Sequence, residues 1–154
     1  MVEKRTKSNS EVQREAQAEM LSWLSAHIGR PLSSDVRLDV GRCTVEVDGF
    51  CDEGSQMILV EAWAHIGKAK SAQKQKVQSD ILKLIHVRDC LGATSQVDCI
   101  YVFADAEAAK VLSTDCWAGI AAQQHGIQTK VAEISPQTRA AILLAQRDQD
   151  IRRR

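Results

Sequence analysis

Two carboxylates, Asp48 and Glu61, stand inside stretches that otherwise read as apolar strands, and they are where chemistry can start. Cys43 to Asp48 alternates, with Cys43, Val45 and Val47 on one face and Thr44, Glu46 and Asp48 on the other. Asp48 therefore closes its strand on the polar side. Met57 to Trp63 is continuously apolar except for Glu61, the pattern of a strand buried on both faces. A carboxylate in such a strand is costly without a partner. The connection GFCDEGSQ carries Gly49 and Gly54, so the strands can fold back as a hairpin that sets Asp48 opposite Glu61. Adjacent strands lie about 4.8 Å apart, so the two carboxylates repel unless a cation neutralises both. Hard oxygen ligands without clustered His or Cys favour Mg2+ or Mn2+ over zinc.

Anion-binding groups follow directly. Between Ile66 and Arg88 there are six lysines or arginines, at 68, 70, 74, 76, 83 and 88, against Asp80 alone, a local charge of +5. Val77, Ile81, Leu84 and Ile85 form a helical core stripe, and Gln73 lies one turn before Val77. Gln73 and Lys76 thus occupy the first turns of a basic helix, beside the acidic pair. A helix N-terminus favours anions, so this grouping suits a phosphodiester. A solvated basic face is the plainer alternative. His65 reads as a hydrogen-bonded structural histidine, and Trp23, Trp63 and Trp117 as core residues in apolar contexts.

The elements that must position these residues can be read along the chain. Met1 to Asn9 is a polar, basic leader, and Ser10 with Gln13 forms a capping-box signature for a helix running to about His27. Its stripe is Val12, Ala16, Met20, Trp23, Leu24 and Ile28, with Glu19 at the edge, either leaning toward a metal or an ordinary surface glutamate. Val36 to Val40 is a short strand. Val97 to Ala104 is a strong one, followed by helical sequence from Glu107 to Gln124 that Ser113 and Thr114 break in two. Ile127 to Ile134 reads as a last strand, and Ser135 with Pro136 caps a final helix before the basic tail 151–154. Residues 10–150 thus form one α/β (α+β) domain with a mixed sheet flanked by helices.

Composition narrows the classes. Hydrophobic residues make up 44% of the 154, enough for a real core, and 20 basic residues balance 20 acidic ones. Five cysteines without short paired spacing argue against a disulfide framework or zinc ribbon and fit a reducing, cytoplasmic setting. No apolar run is long enough to span a bilayer, so no membrane partner is expected. The glycines form neither a GxGxxG nor a phosphate loop.

In order and spacing the chain resembles the PD-(D/E)XK nuclease superfamily, over approximately Ser10 to Ala104. That resemblance implies a restriction-endonuclease-like αβββαβ core in which Asp48 and Glu61 bind Mg2+ or Mn2+. It also implies that Glu19 adds a metal ligand from the first helix and that Gln73 and Lys76 act from the helix after the strands. The usual motif has lysine two residues after the second carboxylate, where this chain has Trp63. Some members supply the lysine from the next helix, which makes Lys74 or Lys76 the candidates, ahead of Lys68 and Lys70. The expected activity is metal-dependent hydrolysis of phosphodiester bonds, with DNA the expected partner and Lys68, Lys70, Lys74, Lys76 and Lys83 tracking its backbone. A homodimer is an expectation of the resemblance alone. The alternative is a catalytically inactive member that binds nucleic acid or protein.

Overall fold

The computed structural model describes residues 7–92 and 95–153. The chain runs α1 (Asn9–Ile28), β1 (Ser33–Val40), β2 (Cys43–Asp52), β3 (Gln56–Trp63), α2 (Ser71–Leu91) and β4 (Gln96–Phe103). Then come α3 (Ala106–Ala109), a 3-10 turn (Lys110–Leu112), α4 (Trp117–Gln124), β5 (Ile127–Val131) and α5 (Pro136–Arg152). The first six elements have the αβββαβ order of the restriction-endonuclease-like core. One five-stranded sheet, ordered β1-β2-β3-β4-β5, is antiparallel through β3 and parallel from β3 to β5. The short turn after β2 allows an antiparallel hairpin, whereas the helical crossovers impose parallel pairing on β4 and β5.

Two cores sandwich the sheet. On one face α1 and α5 cover Val60, Ala62, Ile100 and Val102 with Met20, Leu24 and Ile142. On the other, α2 and the α3–α4 region cover Leu59, Trp63, Tyr101 and Phe103 with Val77, Ile81 and Leu84. β3 is buried on both faces, as its continuous apolar run predicts, so Glu61 falls in the α2-side core between Leu59 and Trp63.

Local signals mark the element ends, with some shifts. The capping box of α1 uses Ser8 and Glu11, not Ser10 and Gln13, so the helix begins at Asn9, inside the basic leader. Residues 1–6 of that leader lie outside the described residues. Ser135 caps α5 with Pro136 in its first turn, as expected, and the helix takes in Ile151 and Arg152 of the basic tail. Ser113 accordingly separates the 3-10 turn from α4. Gly119 lets these two pack backbone to backbone, since a Cβ there would lie 1.9 Å from the Ser113 carbonyl oxygen. Among the described residues no helix is long and apolar enough to cross a membrane.

β2 is longer than the alternation of Cys43 to Asp48 suggests. It continues through Gly49 to Asp52, leaving only Glu53 to Ser55 for the turn. The ladder to β1 pairs Ser34 with Gly49 and Val36 with Val47 but omits Asp35 and Asp48, and Asp35 has φ of 50°. At this break the faces exchange. Val47 packs in the α2-side core, whereas a Cβ on Gly49 would meet Leu21 of α1 at 2.9 Å. A local break of this kind re-aims a side chain, as a bulge does, and the side chain re-aimed here is Asp48.

Candidate functional site

Asp48 does not stand out from the sheet with Thr44 and Glu46. Its Oδ2 accepts the backbone N–H of Ala62 at 2.8 Å. Paired residues of β2 and β3 run from Asp52–Met57 to Gly49–Val60, so Asp48 falls opposite Glu61, as the hairpin predicts. There the carboxylate takes the N–H that a continuing ladder would have used. The other oxygen, Oδ1, accepts from no described residue.

Glu61 is 2% exposed. Its pKa is pushed up to about 8, first by burial and then by the negative charge of Asp48, with a smaller contribution from Asp80; Lys83 pulls the other way and is outweighed. The Lys83 ammonium lies 2.7 Å from Glu61 Oε1. That approach lacks hydrogen-bond geometry, and Oε1 is left buried without a donor. The ammonium therefore stands close to Oε1 without an aligned donor. Lys83 Nζ instead donates to the Glu46 carbonyl of β2 at 3.0 Å, which holds its stem over the sheet.

A second layer lies beside this pair. Asp80 Oδ2 accepts from Tyr101 Oη and from Lys76 Nζ, each at 2.8 Å. Tyr101 is wholly buried, and its hydroxyl is held far above the usual phenol range by burial and by the Asp80 charge. Lys76, Asp80 and Lys83 thus share the flank of α2 turned toward β2. The lysine of α2 that reaches Glu61 is Lys83, which the sequence places among the residues tracking the backbone. Lys76 stands one carboxylate away, and Lys74 faces the opposite flank of α2. Asp80 and Tyr101 were missed, although the lone acid in a basic helix, four residues after Lys76 and three before Lys83, was the available signal.

Two other expected site residues are engaged elsewhere. Gln73 Oε1 accepts the Lys70 N–H at 2.8 Å, capping α2 where its first backbone donors lack helical partners. Glu19 is tied to α5. Its carboxylate accepts from the Ser135 N–H and from the Thr138 hydroxyl at the start of α5, and among the described residues no three His, Cys, Asp or Glu gather around a common point. An anion there complements the helix end and ties α1 to α5. The Thr138 hydrogen bond, then that of Ser135, lowers its pKa, so its stabilising contribution is present at neutral pH and fades as the pH falls through the depressed value. Glu19→Ala should cost about 1–2 kcal/mol in chemical denaturation and leave metal affinity unchanged.

The motif position after Glu61 is a core residue. Trp63 is 7% exposed, stacks on His65 at 4.5 Å between centroids and meets Phe103 edge-on. His65 is buried, and burial lowers its pKa, in keeping with a structural role. Beyond it the loop is clamped: Ile66 exchanges two hydrogen bonds with Gln146 of α5, and Gly67 donates to Asp105, which also receives Arg139. Of the remaining lysines, Lys70 pairs with Asp150, while Lys68 lines the same groove as Lys74.

No family model and no curated protein matches the chain. Among solved structures it is similar to AF1548, a protein of unknown function, with a TM-score of 0.46 and 14% identity over 86% of this chain and 66% of that one. It is also similar to Pyrococcus furiosus SfsA in complex with Ca2+, with a TM-score of 0.42 and 15% identity over 79% of this chain and 59% of that one. The chain thus spans less than two thirds of the length of either.

Proposed function

We propose that this chain is a metal-dependent nuclease that hydrolyses phosphodiester bonds of nucleic acid, with DNA the expected substrate. The observation that carries the reading is the pairing of Asp48 and Glu61 at the parting of β2 and β3, with Glu61 Oε1 buried, undonated and faced by one ammonium. A buried carboxylate oxygen without a donor, beside a second carboxylate with a free oxygen, fits a small hard cation. Mg2+ commonly takes one or two protein carboxylates and completes its shell with water and substrate phosphate, so two ligands suffice without Glu19. When bound, the ion would supply Lewis acidity at phosphorus and a more acidic water.

The chain's own groups do the rest. Asp48 and Glu61 hold the cation, and the Ala62 N–H fixes the Asp48 carboxylate in place. Lys83 keeps 29% of its side chain in solvent beside the buried Glu61, so its ammonium can face a phosphate brought to the cation. There it stabilises the charge that grows on the phosphoryl oxygens. Asp80, anchored by Tyr101, holds Lys76 beside it as a further cation for the backbone.

A second reading is favoured by the same contact. Lys83 already supplies Glu61 with a counter-charge, which suits a catalytically inactive, nucleic-acid-binding scaffold. Calorimetric titration of Mg2+ and Mn2+ into the wild type and Asp48→Ala, followed by incubation with labelled single-stranded, duplex and branched DNA and RNA, separates the two. Metal binding and cleavage that both disappear in the variant support the nuclease. A wild type that takes up neither ion sinks the catalytic reading.

A further inference from the structure

Trp117 contradicts its apolar sequence context. It is 70% exposed, because α4 packs through Ala118, Gly119 and Ala122 and leaves the first residue of the helix outside. Its indole forms the shared wall of two adjoining hollows along the flank of α2 opposite Lys83. One, of about 240 Å³, is rimmed by Lys68, Lys74, Lys110 and Glu107. The other, of about 390 Å³, is lined by Ile81, Leu82, Ile85 and Leu112. Gln78 reaches both. Lys110 is paired with Glu107 at 2.6 Å, but Lys68 and Lys74 make no ion pair with any described residue. The groove therefore has a cationic half with uncommitted charge, an apolar half, an exposed indole where they meet and an amide within reach.

A nucleotide has the same two halves, an anionic phosphate and a flat apolar base with hydrogen-bonding edges. Only a base released from pairing has its face and edge free for such a groove, since in a duplex the faces are stacked. We propose that this groove is a subsite for unpaired nucleotides of a single strand, with a base stacked on Trp117 and the flanking phosphates on Lys68 and Lys74. The inference rests on the nuclease reading and names its substrate class: a strand that is single, flapped or frayed beside the scissile bond. The subsite and the carboxylate pair lie on opposite flanks of α2, so one strand crossing that helix can engage both. The apolar half is thereby assigned to bases, because it adjoins the uncommitted cations that a phosphate would meet.

The test is fluorescence anisotropy of labelled oligothymidylate, with oligouridylate and a blunt duplex as comparison arms, in EDTA so that no cleavage occurs. The wild type should bind the single strands more tightly than the duplex. Trp117→Ala should weaken single-strand binding about tenfold or more, and Trp117→Phe should restore most of it. Lys68→Gln and Lys74→Gln should each flatten the slope of log affinity against log salt by about 0.7. Because the indole is exposed, Trp117→Ala should unfold at the wild-type temperature, which separates a binding loss from misfolding. Unchanged single-strand affinity in Trp117→Ala overturns the inference, as does Trp117-dependent self-association without oligonucleotide binding. Metal-dependent cleavage lost in Asp48→Ala but untouched in Trp117→Ala removes this subsite and leaves the nuclease standing. Trp117-dependent binding without any metal-dependent cleavage does the reverse.

Discussion

Lys83→Met should lower metal-dependent cleavage by about two to three orders of magnitude under single-turnover conditions, whereas Lys74→Met and Lys76→Met should retain most of the rate. Methionine keeps the length and apolar stem of lysine and removes only the ammonium. That ammonium lies 2.7 Å from Glu61, while the Lys76 ammonium is 2.8 Å from Asp80 and Lys74 lines the far flank of α2. Charge developing on a phosphate brought to a cation held by Asp48 and Glu61 would therefore meet Lys83 first, and a fixed cation in a water-poor site is worth far more than one in solution. Losing Lys76 or Lys74 should instead weaken substrate binding and reduce its salt dependence. Full activity in Lys83→Met together with an inactive Lys76→Met would transfer the role to Lys76. The fold should survive the exchange at pH 6, where Glu61 can answer the loss of its counter-charge by holding its proton.

In EDTA, the protein should become less stable as the pH rises from about 5 to about 9, and Mg2+ should restore the loss. Glu61 has a folded-state pKa of about 8 against an ordinary value of 4.5. Below 4.5 the group is protonated in both states and its contribution is fully present. Between 4.5 and about 8 the unfolded chain releases the proton while the fold retains it, so stability declines through that window and levels off above it. At 1.36 kcal/mol per pKa unit the loss is on the order of 3–5 kcal/mol. Glu61→Gln is nearly isosteric and cannot ionise, so this slope should vanish and the variant should outlast the wild type at pH 9. Metal uptake must displace the proton, so Mg2+ affinity should climb toward pH 8 and be lost in Glu61→Gln. Thermal unfolding across pH with and without Mg2+ measures both. Identical pH profiles for wild type and Glu61→Gln would remove the buried charge from the account.

The strands, the helices and the hairpin that sets Asp48 against Glu61 were legible because they rest on local periodicity and on short connections between neighbours in sequence. A single acidic residue in the apolar run of β3 was enough to mark the pair. The break at Asp48 was not legible, since Cys43 to Asp48 alternates regularly and Asp35, its opposite number on β1, betrays nothing by type. Nor was the fate of Glu19, whose partners Ser135 and Thr138 lie more than a hundred residues away at the start of another helix.

The sequence by itself determined which residues are costly to bury and which stretches are helix or strand. It therefore determined the acidic pair, the basic helix that follows and the mixed sheet that joins them. Only the tertiary structure decided which lysine answers Glu61 and which tryptophan stays in water. Val77, Ile81 and Leu84 turn one side of α2 onto the sheet, but the sheet's position then selects the flank that meets Glu61, and that flank carries Lys83. Gly119 seats α4 so closely on the carbonyls of Leu112 and Ser113 that Trp117 is left outside the core its neighbours join. Both outcomes depend on how elements distant in sequence pack against one another, and a local pattern of residue types carries no record of that.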